Sequence, residues 1–234
     1  MKRRMLLACV LVGIASTATL GQSAVRLPAG FTPLFNGKDT TGRHWSRTTH
    51  HGTTAKAIVE NGVLILQPYP YGQGGVLLTD KVYKDFELYV ELKPDPNYNS
   101  GVFLRSTEGG SAFQVEIIRP GNTGALLGER QRVSERKFIG PVVDIETVWK
   151  ENDWNSFRIR MEGEIPHVWL WVNDVQLWEL QLPVNDQVAE AYGGMIGLQL
   201  HWTATYSETA GGGGGGRPWA VQRFRNIGIK ELNK

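Results

Sequence analysis

The sequence predicts an all-β protein, an antiparallel sandwich or closed barrel, from three observations. Apolar and polar residues alternate with period two through most of the chain. Turn signals break that alternation at short intervals, and no long apolar pattern at helical spacing supplies crossover helices. The 28 glycines suit a chain that reverses direction many times. Taken in order, the predicted strands are Ala57–Val59, Val63–Gln67, Val76–Thr79, Asp85–Lys93, Val102–Arg105 and Phe113–Ile118. They continue with Phe157–Met161, Val168–Val172, Gln176–Leu180, Met195–Leu200 and Arg223–Lys230. Asp85–Lys93 (DFELYVELK) alternates most cleanly, as a half-buried strand does. Asn61-Gly62 is a two-residue hairpin signal, and Asn173-Asp174 reads as a second. Residues 142–151 (VVDIETVWKE) read as one or two helical turns. No repeat period stands out, which argues against a propeller.

Charge and the first residues bound the setting. Lys2, Arg3 and Arg4 open the chain, and without them the formal charge of +2 becomes −1. A near-neutral body lacks the surplus of cations that a general nucleic-acid binder needs. Residues 1–24 read as a secretory signal: a positive start, a short apolar stretch from Leu6 to Ala18, and small residues Ala18, Gly21 and Ala24 at the exit. The stretch is too short to span a membrane, so the expectation is an exported protein, periplasmic or secreted, with no stable membrane insertion after the signal is removed. Cys9, the sole cysteine, leaves with that leader, so packing without disulfides must stabilise residues 25–234 as one domain. Two segments read as loops: 119–141, and the insertion 203–220 with its glycine run Gly211–Gly216.

The chain has no phosphate-cradling glycine loop before a helix and no nucleophile-elbow motif. Five histidines without a mature cysteine argue against structural zinc. His50 and His51 are adjacent, and on a strand they would face opposite ways. The informative residues are polar ones on strands that also carry core residues. Gln114 and Glu116 share one face of their strand, about 7 Å apart. By the same alternation Phe103 pairs with Arg105, Trp169 with Trp171 and Asn173, and Gln199 with His201. Aromatic rings lie against sugar C–H faces, while carboxylates and amides bind hydroxyls. Such a face suits a carbohydrate. Each residue also has a plainer use: solvated carboxylates, covered tryptophans, Arg105 paired with a neighbouring acid, and His201 partly buried and satisfied.

The motifs resemble the 3-keto-disaccharide hydrolase family over residues 31–232. The resemblance rests on Leu34–Asp39 (LFNGKD), Val59–Leu64 (VENGVL), Leu78–Leu88 (LTDKVYKDFEL), Asn99–Arg105 (NSGVFLR), Trp154-Asn155, Trp171–Asn173, Gly197–His201 (GLQLH) and Phe224–Leu232 (FRNIGIKEL), in family order. It implies a concanavalin A-like jelly roll in an exported bacterial protein. It also implies action on glycosides already oxidised to a ketone at sugar carbon 3, by proton abstraction at carbon 2, elimination and hydration. By position in the matched motifs, Glu116 is the candidate base or acid, Arg105 the stabiliser of substrate oxygen or enolate, and His201 a second acid/base. Asn99, Gln114 and Gln199 are the candidate hydroxyl ligands; Trp169 or Trp171 is the candidate stacking platform, a task the resemblance itself does not assign. No cofactor is assigned, and a divalent metal is left open without named ligands. The chain departs from the family at Phe113–Arg119, where Gln and Glu have exchanged places and Arg119 replaces an acid. Leu127 stands in place of a tyrosine, and Trp202 in place of the glycine after the final histidine.

Two functions compete: an enzyme on keto-sugars, and a non-catalytic carbohydrate-binding, lectin-like module on the same fold. An endo-glucanase of the laminarinase type is discounted. Its three-acid strand motif is approached only by Val142–Glu146 (VVDIE), which lacks the first carboxylate.

Overall fold

A computed structural model of the protein describes residues 24–69, 72–96, 98–119, 121–131, 138–139, 143–187, 191–202 and 219–232. All but the last residue of the secretory signal predicted for 1–24, and the glycine run Gly211–Gly216, lie outside the described residues. The described strands are β1 (Thr32–Pro33), β2 (Arg43–Trp45), β3 (Lys56–Glu60), β4 (Val63–Gln67), β5 (Gly75–Thr79), β6 (Phe86–Pro94), β7 (Tyr98–Ser106) and β8 (Ala112–Arg119). They continue as β9 (Leu126–Glu129), β10 (Phe138–Ile139), β11 (Asn155–Glu162), β12 (His167–Val172), β13 (Val175–Gln181), β14 (Met195–Leu200) and β15 (Gln222–Glu231). Both predicted hairpin turns form. Asn61 and Gly62 have φ of 51° and 80°, Asn173 and Asp174 of 50° and 67°, the left-handed pair that a type I′ turn requires.

The strands make two antiparallel sheets. The first runs β13-β12-β11-β6-β15-β4-β3, with β1 on β15, and the second runs β10-β9-β8-β7-β14-β5-β2. This is the all-β, concanavalin A-like jelly-roll sandwich. Alternation builds its core. Phe86, Leu88, Val90 and Leu92 of β6, with Phe157, Ile159 and Met161 of β11, face Val102, Leu104, Val115, Ile117, Leu198 and Leu200 of the second sheet in one buried cluster. In place of the predicted helical turns at 142–151 there is one 3-10 turn, Ile145–Thr147, capped by Asp144, whose carboxylate accepts from Glu146 N at 3.0 Å. That cap gives the near-laminarinase string a structural use.

Candidate functional site

The residues that β7, β8 and β14 do not send into the core emerge on the outer face of the second sheet. Register places Gly101 opposite Glu116 and Phe103 opposite Gln114 on one side, with Phe103 opposite Gly197 on the other. Just beyond β14, His201 N donates to Asn99 O at 3.3 Å. Asn99, Gln114, Glu116, Gln199 and His201 therefore share one face of three neighbouring strands. Glu116 and His201 sit on opposite flanks of β7, about 12 Å apart at the backbone.

Gly101 makes the middle of this face possible. A Cβ there would fall 2.2 Å from Gln114 Nε2. Lacking one, Gly101 lets the Gln114 side chain lie across β7, where its amide donates to Gln199 Oε1 at 3.2 Å. Gln199 in turn meets His51 Nδ1 at 2.9 Å, and Ser100 Oγ donates to Gln199 O at 2.6 Å. Gln114 Oε1 and Asn99 Oδ1 are buried without a hydrogen-bond partner among the described residues. Such unsatisfied acceptors are costly, and of the two only Asn99 Oδ1 belongs to a half-buried residue at the accessible end of the face.

The face is not the open groove that alternation alone suggests. Val76, Leu78, Phe103, Gln114 and Gln199 are buried, and the segment 46–55 folds back over them. Ser46 ties it down, donating from N to Val76 O at 2.9 Å and from Oγ to Glu108 O at 2.6 Å. Gly52 crosses so near Gly74 that a Cβ on it would lie 2.5 Å from Gly74 O. His51 is thereby pressed edge-on against Phe103, with ring centroids 5.6 Å apart, and lies 5.1 Å from the His201 ring. Asn99, Glu116 and His201 remain half-buried and His50 exposed, so the accessible part of the face lies at that end.

The histidine pair corrects the sequence reading. His50 and His51 are on a turn, not a strand, and both rings face the same carboxylate: their Nε2 atoms lie 3.5 and 3.6 Å from Glu129 Oε2. Sequence spacing could not show this, because Glu129 arrives from β9, far along the chain. His201 has a fixed tautomer. Its Nδ1–H donates to Trp202 O at 2.6 Å, leaving Nε2 as an acceptor. Burial, opposed by that hydrogen bond, pushes the imidazolium down to about 4, so His201 is neutral at neutral pH.

Arg105 does not join this group. Its φ is +51°, beside a register shift between β7 and β14, so its side chain leaves the alternation. The guanidinium is buried and donates to Lys84 O at 2.8 Å, Gly163 O at 2.7 Å and Asp85 Oδ1 at 3.2 Å, with the Tyr192 ring 5.0 Å away. Asp85 also accepts from Gly163 N at 2.7 Å and from the Tyr192 hydroxyl. Trp169 and Trp171 lie on the outer face of the other sheet, under Arg160 and Arg158 at 5.4 and 4.0 Å. They cannot share a groove with Glu116 across the core.

The family model for a 3-keto-alpha-glucoside-1,2-lyase-like domain matches residues 30–230. Among solved structures, a "putative glycosyl hydrolase" from Parabacteroides distasonis ATCC 8503 is 21% identical with a TM-score of 0.58, over 87% of this chain and 94% of that one. A second from the same organism is 20% identical with a TM-score of 0.55, over 86% and 99%. The carbohydrate-binding module CBM66 from Bacillus subtilis is 12% identical with a TM-score of 0.54, over 82% and 96%. At these identities the likenesses show the fold. No curated protein matches the chain.

Proposed function

Because the chain belongs to the 3-keto-alpha-glucoside-1,2-lyase-like family, we propose that it is an exported enzyme cleaving the glycosidic bond of 3-keto-glycosides at the outer face of its second sheet. The observation that carries this reading is a neutral imidazole, a half-buried carboxylate and a line of amides gathered on three adjacent strands. The ketone acidifies the hydrogen on carbon 2, so a carboxylate base suffices. Glu116 takes that proton, and the electron pair moves onto the carbon 3 oxygen as an enolate. The amide N–H of Asn99, at the half-buried end of the face, is the donor available to that oxygen, and the buried Gln114–Gln199 pair braces the face behind it. The enolate collapses to the enone and expels the carbon 1 substituent, which receives a proton from the Glu116 carboxyl. Water then adds at carbon 1, its proton accepted by His201 Nε2, and the imidazolium gives that proton up as carbon 2 of the new enolate is reprotonated. Arg105 serves here as a positioning residue, locking the ends of β6 and β7 together, rather than as the enolate stabiliser.

A second reading is favoured by one observation: position 114, on the same face of β8 as Glu116, carries an amide and not an acid. A non-catalytic carbohydrate-binding module would keep the hydroxyl ligands and dispense with the chemistry. Incubating the purified protein with a 3-keto-glucoside and with the unoxidised glucoside separates the two. Aglycone release from the ketone alone supports the enzyme; binding without release from either supports the module.

A further inference from the structure

We propose that His50, His51 and Glu129 form a binding site for a divalent transition metal of the zinc class. The argument is one of distance. A hydrogen bond between an imidazole nitrogen and a carboxylate spans about 2.7–3.2 Å. Two donors sharing a tetrahedral zinc, each at about 2.0–2.1 Å, sit about 3.3–3.4 Å apart. Glu129 Oε2 lies 3.5 Å from His50 Nε2 and 3.6 Å from His51 Nε2, and the three donor atoms all lie within 4.8 Å of one another. Both carboxylate–imidazole spacings are longer than an ordinary hydrogen bond and close to those of donors sharing a cation.

A second histidine–carboxylate group, around His44, provides the contrast. His44 Nδ1 and Nε2 approach Asp80 and Glu108 at 2.6 and 2.9 Å. Those are true hydrogen bonds, which satisfy both ring nitrogens and leave no lone pair for a metal. His51 Nε2, by comparison, is buried with no hydrogen-bond partner among the described residues. Its Nδ1 stands 2.9 Å from the Gln199 amide. With the Gln199 and Gln114 amides both turned, rotations that exchange nearly isosteric groups and let Gln199 Nε2 donate to Gln114 Oε1 in place of the reverse bond, Nδ1–H donates to Gln199 and the Nε2 lone pair points at the cation. This is the partner arrangement that orients metal-bound histidines elsewhere.

Two imidazoles and one carboxylate select a borderline cation over calcium or magnesium, and three protein ligands leave a position for water or a ligand oxygen. The site does not depend on the proposed reaction, because its test reads binding and no turnover. The full chain is stripped with a chelator, dialysed and titrated with Co2+, following visible d–d absorption, and with Zn2+ by calorimetry. The expected result is one ion per chain with tetrahedral cobalt bands. H50A, at an exposed side chain, and E129Q should each weaken binding by more than the ~10–100-fold that loss of an outer-shell partner costs, while H44A binds as the parent does. Absence of a stoichiometric site, or affinity unchanged in both H50A and E129Q, overturns the proposal. If E129Q fails to fold, H50A against H44A decides it alone.

Discussion

Replacing Arg105 with Met tests whether this residue acts through the fold or through chemistry. The change removes three charge-assisted hydrogen bonds, to Lys84 O, Gly163 O and Asp85, and leaves the buried Asp85 carboxylate without its counter-charge. Breaking a buried pair from one side costs about 3–5 kcal/mol. For a domain of this size each kcal/mol moves the melting temperature by about 2–4 °C, so the expected fall is about 6–20 °C. The assay is thermal unfolding followed by near-ultraviolet circular dichroism, repeated for Asp85→Asn and for the double variant. Since the two groups share one network, the double variant should lose clearly less than the sum of the single losses. A melting temperature unchanged in Arg105→Met, together with lost turnover of a 3-keto-glucoside, would refute the structural assignment and return Arg105 to the reaction.

The other predictions concern the outer face. Glu116→Gln keeps the side chain's shape but removes the base, so turnover of a 3-keto-glucoside should disappear while the melting curve stays in place; unaltered turnover removes Glu116 from the mechanism. His201, held near 4 against 6.5 in the unfolded chain, contributes stability that is complete above pH 6.5 and lost as pH falls toward 4. That loss is about 3 kcal/mol, and His201→Asn should flatten the fall in melting temperature across that window relative to the parent. Gly101→Ala drives a Cβ into Gln114, so it should break the Gln114–Gln199 bond and cost about 1–3 kcal/mol, measured by denaturant unfolding. An unchanged midpoint would mean that the amide line is not packed as described.

Much of the fold was legible in the alternation of single segments. Strands such as Val63–Gln67 and Met195–Leu200 coincide with β4 and β14, and the two asparagine-led turns form as their residues require. Short strands that owe their existence to partners were not legible. Arg43–Trp45 forms against β5, and Leu126–Glu129 against β8. The site was legible in part for the same reason. Period two says which side of its own strand a residue takes, so Gln114 could be grouped with Glu116 and Gln199 with His201, while Asn99 entered through the family motif. It does not say which sheet the strand joins, and Trp169 and Trp171 belong to the other one. It also fails where a non-glycine residue takes positive φ, which is how Arg105 escaped the face of Phe103. His50, His51 and Glu129 meet only because a loop folds back over the sheet, and their one visible signal was an adjacent histidine pair.

The most direct test of the central claim is deuterium incorporation. The purified protein is given a 3-keto-glucoside in heavy water, and the released sugar is examined at carbon 2 by proton NMR. Elimination and rehydration predict deuterium there, with the unoxidised glucoside left intact. Release of a sugar that retains its original hydrogen at carbon 2, or equal cleavage of the unoxidised glucoside, would contradict the account.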